Sequence, residues 1–165
     1  MNKFLLPLLG AGLIAVSAVH ANAATQVQAS HAWIRVLPGD LPAGGYVTLR
    51  NNGDQPVVLT GATSTSYGDV MLHHSATEGG MSRMSMVKTL LIPSHATQAL
   101  APAGYHLMLM QARHPVHPGD TVQVSLKFSD GSSLPVGFAA RPASALDDGS
   151  TTASPAMPSV HASAH

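Results

Sequence analysis

Four side chains with soft donor atoms recur at fixed intervals in the middle of this 165-residue chain. They are His73, Met84, His106 and Met108, with ten residues between the first two and a single residue between the last two. Two imidazoles and two thioethers, without a carboxylate or a thiolate, favour Cu(I) over hard cations such as Mg²⁺ and Ca²⁺. Such a ligand set carries no charge, so a site built from it is expected to hold Cu(I) and to release it to a thiolate.

The composition favours the same chemistry and excludes several others. The chain has no cysteine, which rules out disulfide scaffolds, thiolate zinc sites, thiol nucleophiles and blue-copper centres. Residues 24–165 contain 9 His and 7 Met, more together than their 15 charged residues. The formal net charge of the chain is zero, so no electrostatic attraction to a phosphate backbone is expected and nucleic-acid binding is not predicted.

The strand pattern around the candidate ligands predicts which of them share a face. Residues 105–110 read as a β-strand, in which alternate side chains point to opposite sides. His106 and Met108 should therefore lie on one side, while Leu107 and Leu109 face the core. His73 and His74 end another strand-like run, so only one of that pair can point toward the site, and the spacing leaves open which one does.

The remaining methionines and histidines have simpler interpretations. Methionine is a common gap-filler in cores, so several are predicted to be packing residues or spare ligands: Met71, Met81, Met86 and Met110. A lone histidine is more often structural or exposed than a ligand. Four histidines are therefore not expected to be primary ligands: His31, His95, His114 and His117.

Short strand-like runs dominate the chain, and no segment beyond the N-terminal leader keeps a helical period. Eight runs are predicted, at 26–36, 46–50, 56–60, 70–74, 85–89, 105–110, 121–128 and 134–139. The turn residues at 51–54 predict a hairpin between the second and third runs. Strands of this number and spacing indicate an all-β sandwich or a Greek-key barrel.

The N-terminal residues 1–23 read as a cleaved secretory signal. Lys3 precedes an apolar run at 4–19, and Ala21-Asn22-Ala23 forms an A-x-A cleavage site. The apolar run is short for a membrane span, so no membrane insertion is expected after cleavage. No cysteine follows the cleavage site, so lipid attachment there is not expected. The pattern predicts an exported protein with a domain at 24–142.

Residues 143–165 have the composition of a flexible C-terminal tail rich in Ala, Ser, Pro and Thr. Three soft side chains lie within it: Met157, His161 and His165. Two interpretations remain open at this point, an idle polar tail and a weak auxiliary copper site.

The ligand spacing and its flanks resemble the periplasmic copper chaperone family PCu(A)C. The resemblance includes Ala32-Trp33-Ile34-Arg35, Gly45–Leu49 and Gly104–Met110, and it covers most of residues 26–139. The chain departs from the family pattern at His74, where an acidic residue is common, and at Ser82, where a further methionine is common. Both departures lie near His73 and Met84, whereas the residues around His106 and Met108 follow the family pattern.

The resemblance carries its own expectations about fold, ligand and partners. It implies a cupredoxin-like Greek-key β-sandwich that binds Cu(I) through His73, Met84, His106 and Met108 in the periplasm. It also implies delivery of copper toward the CuA or a related centre of cytochrome c oxidase, alongside Sco-type thiol proteins. In some relatives a His/Met-rich extension adds Cu(II) binding, and the tail at 143–165 is a sparser version of it. A monomer is expected.

Other functions were weighed against the chaperone. A copper electron carrier fits poorly, since a blue-copper site needs cysteine and a His/Met site disfavours Cu(II). No G-x-S-x-G nucleophile motif or supported acid–base pair is present, so an enzyme is not predicted. A purely structural sandwich would make the His/Met spacing a coincidence. Copper sequestration for tolerance would use the same site, and the sequence decides neither that question nor the identity of the acceptor.

Overall fold

The computed structural model describes residues 22–147, and nearly all of its regular structure is β. A four-residue helix, α1 (Ala23–Gln26), precedes ten strands. The strands are β1 (Val27–Arg35), β2 (Ala43–Asn51), β3 (Val57–Ser64), β4 (Tyr67–Glu78), β5 (Met81–Met86), β6 (Leu90–Ile92), β7 (Thr97–Leu100), β8 (Tyr105–Ala112), β9 (Thr121–Phe128) and β10 (Ser133–Arg141).

The strands form one continuous hydrogen-bonded path that folds over into a sandwich. Its order is β5-β4-β8-β2-β1-β10-β9-β3-β6, and β7 pairs with β2 beside that path. β1 and β10 run parallel, while the other described pairs are antiparallel. The prediction of an all-β, cupredoxin-like sandwich is confirmed.

The core lies between the two halves of this path and is built from the inward-facing residues of each strand. On β8, Leu107 and Leu109 are fully buried, as their alternation with His106 and Met108 predicted. Leu72 of β4 packs in the same cluster. Burying one such leucine contributes about 1.5–3 kcal/mol, so the apolar face of each strand fixes which side chains point outward.

The expected hairpin at 51–54 was wrong. β2 pairs with β1, β7 and β8, whereas β3 pairs with β6 and β9, so the chain crosses between the two halves at this point. Asn51 is fully buried there, and its amide donates to the carbonyl oxygens of Gln55 and Pro93 and accepts from the N–H of Gly53. Residues 51–54 do form a turn, as predicted, but the turn connects the two halves of the sandwich instead of two paired strands.

Two strands were not predicted, a third is displaced from its predicted run, and β2, β3 and β4 are longer than predicted. β6 and β7 were not predicted, because three and four residues are too short to show a clear alternation. β5 begins at Met81, four residues before the predicted run at 85–89. All six of its side chains are exposed, so no buried apolar face marked it in the sequence.

The start of the described chain packs onto the sandwich. Asn22 caps α1 by accepting from the N–H of Thr25, and Ala23 is buried. The N–H of Ala23 donates to Asp130 Oδ2 at 2.7 Å, and the N–H of Ala24 donates to Ser132 Oγ at 3.1 Å. No helix within residues 22–147 has the length and apolarity needed to cross a membrane. Most of the predicted signal, at 1–21, lies outside the described residues.

Candidate metal centre

The antiparallel pairing of β4 with β8 brings the two predicted imidazole ligands together. His73 and His106 are directly opposite each other in the register, so their side chains leave the same face of the sheet. Their ring centroids lie 5.9 Å apart, with the rings nearly perpendicular at 68°. Two residues that are 33 positions apart in sequence thus become nearest cross-strand neighbours.

Met108 lies on the same face, two residues along β8 from His106. It is half-buried and directly opposite Met71 of β4. The intervening Leu107 is fully buried in the core, which fixes the orientation of the strand. β8 therefore presents an imidazole and a thioether in successive positions on the outward face, as the sequence predicted.

The β4–β5 hairpin brings Met84 to this face. Its two-residue loop, Gly79-Gly80, has φ values of 57° and 80°, a left-handed conformation that glycine adopts without strain. The register places Met84 opposite Ser75 and Met86 opposite His73. Met84 is therefore diagonal to His73, at a typical Cβ separation of about 7–8 Å that a methionine side chain can span.

The imidazoles of His106 and His73 differ in their hydrogen bonds. His106 is 6% exposed, and its Nδ1–H donates to the carbonyl oxygen of Gly104 at 3.0 Å. This bond leaves Nε2 as the lone-pair nitrogen and fixes the ring, as is common for metal-binding histidines. Nδ1 of His73 is buried without a hydrogen-bond partner.

The surroundings of His73 also favour the form that binds metal. Burial lowers the pKa of His73 by penalising the charged imidazolium, and positive charge on the neighbouring His106 lowers it further. A lowered pKa keeps the imidazole of His73 neutral near neutral pH. Neutral imidazole is the metal-binding form, so protons compete less with a metal at this position.

An aromatic wall closes the β2 side of the site. The rings of Tyr46 and His106 lie 6.5 Å apart, and Tyr46 in turn packs against Trp33 at 4.5 Å. The Arg35 guanidinium stands 5.5 Å from the centroids of both aromatic rings. Gly44 leaves room for this arrangement, because a Cβ there would lie 2.5 Å from the Tyr46 hydroxyl. The wall therefore lies beside His106 on the side of β8 that faces away from β5.

The donor set suits a soft monovalent ion. Within residues 22–147, no group of three or more histidine and carboxylate side chains is placed to hold a metal. Asp69 is on the same face but opposite Met110, four pair positions along from the pair of His73 and His106. The face thus offers nitrogen and sulfur without a clustered negative charge, which fits Cu(I) and not a hard cation.

All four predicted ligands therefore share one sheet face. His74 points to the other face, where its ring packs against Tyr105 at 4.5 Å, in line with the expectation that only one of the two histidines faces the site. His95 donates to Asp54 at 2.8 Å on the surface, and His114 lines a separate cavity. The tail residues lie outside the described chain: Met157, His161 and His165.

Three methionines on the same face were treated in the sequence only as packing residues or spare ligands: Met71, Met86 and Met110. Met86 is opposite His73, and Met71 is opposite Met108. The sequence did contain one indication that Met86 belongs with the site. Met86 is two residues from Met84, and side chains two residues apart in a β-strand point to the same face. The Gly104 carbonyl that orients His106 carried no sequence signal.

The comparisons with known proteins agree with the fold described. The LpqE-like family model matches residues 27–140. A relative from Leifsonia xyli subsp. xyli, Lxx21020, whose name describes it as a lipoprotein, is 35% identical over 128 residues, or 72% of this chain and 76% of that protein.

Solved structures with the same fold include copper-bound proteins. The solution structure of CuI-DR1885 from Deinococcus radiodurans is 35% identical, with a TM-score of 0.57 over 74% of this chain and 81% of that one. The copper-bound PCuAC domain from PmoF2 is 22% identical, with a TM-score of 0.61 over 74% of this chain and 98% of that one. This chain therefore belongs to the LpqE-like family and has the fold of the PCuAC domains, as its resemblance to PCu(A)C proteins predicted.

Proposed function

We propose that this protein is an exported copper chaperone that binds one Cu(I) between β4, β5 and β8. The observation that carries the proposal is the shared sheet face of four soft donors: His73, Met84, His106 and Met108. A fold that served structure alone would have no need to leave a buried imidazole nitrogen of His73 without a partner beside a second oriented imidazole.

The same geometry supports transfer over permanent storage. A neutral ligand set leaves the charge of Cu(I) uncompensated, so an acceptor thiolate competes well for the ion. One side of the site is also open, because Met84 is 53% exposed on a strand that, among the described strands, pairs only with β4. An acceptor can therefore approach the ion without unfolding any part of the sandwich.

The solved relatives support copper as the ion. DR1885 was solved as a Cu(I) form and the PmoF2 domain as a copper-bound form, each on the fold of this chain. The predicted signal peptide supports export to the periplasm. Delivery toward the CuA or a related centre of cytochrome c oxidase, directly or through a Sco-type thiol protein, is the part of the proposal that rests on the family resemblance.

Copper sequestration for tolerance would use the same ligands, so a transfer experiment must separate the two roles. The protein is loaded with one Cu(I) without oxygen and mixed with an apo Sco-type dithiol protein or an apo CuA domain. The two proteins are then separated and their copper measured. A chaperone passes its copper on faster to this acceptor than to an equal concentration of a small dithiol.

Retention of copper by the loaded protein, or release that depends only on thiol concentration, would contradict delivery and favour sequestration. The His106→Ala/Met108→Ala double variant is the matched control. It should carry no copper into the mixture, so that copper reaching the acceptor in its presence would come from free ion.

A further inference from the structure

The edge strand β5 carries more thioethers than the four-ligand site uses. Met81, Met84 and Met86 are 61%, 53% and 62% exposed. A methionine that fills a core gap is buried, so packing does not explain these three side chains. Only Met84 belongs to the predicted ligand set.

The register sorts the three methionines by face. Met86 is opposite His73, which is itself opposite His106, so these three side chains form one row across β5, β4 and β8. Met84 lies on the same face two pair positions away, opposite Ser75. Met81 is opposite Glu78, an odd number of positions from both, and therefore points to the other face.

Met86 is thus better placed relative to His73 than Met84 is. Side chains directly opposite each other have Cβ atoms about 4.5–5.5 Å apart, whereas diagonal neighbours are about 7–8 Å apart. Methionine has three rotatable side-chain bonds beyond the backbone, so both sulfurs can reach an ion held by His73. Neither needs to leave a packed position to do so, because both are more than half exposed.

We propose that Met86 is a further Cu(I) ligand that alternates with Met84 at one coordination position. Either thioether completes a site whose other donors are His73, His106 and Met108. The inference rests on the proposed Cu(I) function and adds to it an exchange step at the open edge. One β5 sulfur can replace the other while the ion stays bound to β4 and β8, which leaves a coordination position accessible to an acceptor thiolate.

The test is a double-mutant cycle on β5, read out as Cu(I) affinity by anaerobic competition with a colorimetric chelator. The variants are Met84→Leu, Met86→Leu and the double variant. Met81→Leu is the matched control, on the same strand and equally exposed but on the other face. Leucine keeps the side-chain volume nearly constant, and circular dichroism and Tm establish that each variant is folded.

If the two sulfurs substitute for each other, each single variant loses less than about threefold in affinity while the double variant loses about tenfold or more. The double loss must exceed the product of the two single losses. Met81→Leu should match the unaltered protein. A double loss equal to that product or smaller would overturn shared ligation.

A spectroscopic readout gives independent support. With ¹³C-methyl-labelled methionine, addition of one Cu(I) should shift the methyl resonances of Met84 and Met86 and leave that of Met81 unchanged. A stationary Met86 resonance beside a shifted Met84 resonance would contradict the inference while leaving the chaperone proposal intact. Failure of the unaltered protein to bind Cu(I) at all would instead remove the proposed function.

Discussion

The two sides of the candidate copper site differ in how firmly the fold holds their donors. On β8, His106 is buried, hydrogen-bonded through Nδ1 and backed by Tyr46, and Met108 is half-buried between β4 and β2. On β5, every side chain is exposed, and within residues 22–147 the strand has a partner on only one side. One side of the site is rigid and the other is free to rearrange.

This difference suggests how one site can both retain and release an ion. Rigid donors hold the ion in place because little conformational entropy is lost when they bind it. Exposed donors on an edge strand can leave the ion one at a time without cost to the core. We therefore expect substitutions on β4 and β8 to weaken binding strongly, and single substitutions on β5 to change it little.

The largest effect is expected from His73 of β4. His73→Ala removes a donor opposite His106 and should lower Cu(I) affinity by about a hundredfold, on the order of 2.7 kcal/mol. His74→Ala is the matched control and should change affinity by less than about twofold, because its ring packs against Tyr105 on the other face. Competition titration measures both, and a larger loss in the His74 variant would exchange their assigned roles.

A smaller effect is expected from the thioether of β8. Met108→Ala should weaken Cu(I) binding by at least about tenfold, or roughly 1.4 kcal/mol. The loss should exceed that of Met84→Ala, because Met86 places a second sulfur on β5 opposite His73, whereas the next sulfur on β8, that of Met110, is four residues from His106. An affinity equal to that of the unaltered protein would remove Met108 from the site.

A change remote from the site should affect stability and leave copper binding unaltered. The Asp130 carboxylate accepts hydrogen bonds from the backbone N–H of Ala23 and from the side chain and backbone N–H of Ser132. These bonds lower the pKa of Asp130 below 3.8, and the bond from Ala23 has the largest effect. A depressed carboxyl pKa stabilises the folded state above the unfolded pKa, and that stabilisation is lost as the pH falls through the folded value.

In a protein that begins at Asn22, Asp130→Asn should therefore lower Tm at neutral pH. The difference from the unaltered protein should shrink as the pH is taken below 3.8. Thermal melts monitored by circular dichroism at several pH values measure it. A Tm difference that stays constant over this range would show that the charge of Asp130 has no part in the effect.

The smallest effect on Cu(I) is expected from the tail. Truncation after Arg141 should leave Cu(I) affinity unchanged, because the predicted ligands lie on β4, β5 and β8. If the tail is an auxiliary site, the same truncation reduces Cu(II) binding. Loss of Cu(I) binding on truncation would contradict an auxiliary role and extend the main site into the tail.

Sequence reasoning was most reliable where burial leaves a clear period. The alternation of Leu107 and Leu109 with His106 and Met108 determined the outward face of β8, and the structure has the same arrangement. The orientation of His73 relative to His74 followed from the same period of two. These features are local, so a short stretch of sequence is enough to predict them.

Pairings between distant strands could not be predicted in this way. The turn residues around Asn51 indicated a hairpin, but the side-chain amide of Asn51 also donates to the carbonyl oxygens of Ile92 and Pro93, which become neighbours only in the folded sandwich. The register that aligns Met86 with His73 likewise depends on where the β4–β5 turn falls. A one-residue shift of that turn would have placed the other face of β5 toward the site.

The most direct test of the central claim is a Cu(I) titration of residues 24–165 against a colorimetric chelator without oxygen. The His106→Ala/Met108→Ala double variant is measured in parallel. The account predicts one tightly bound Cu(I) per protein and its loss in the double variant. Absence of competitive binding in the unaltered protein, or equal binding in the variant, would contradict a copper site between β4, β5 and β8.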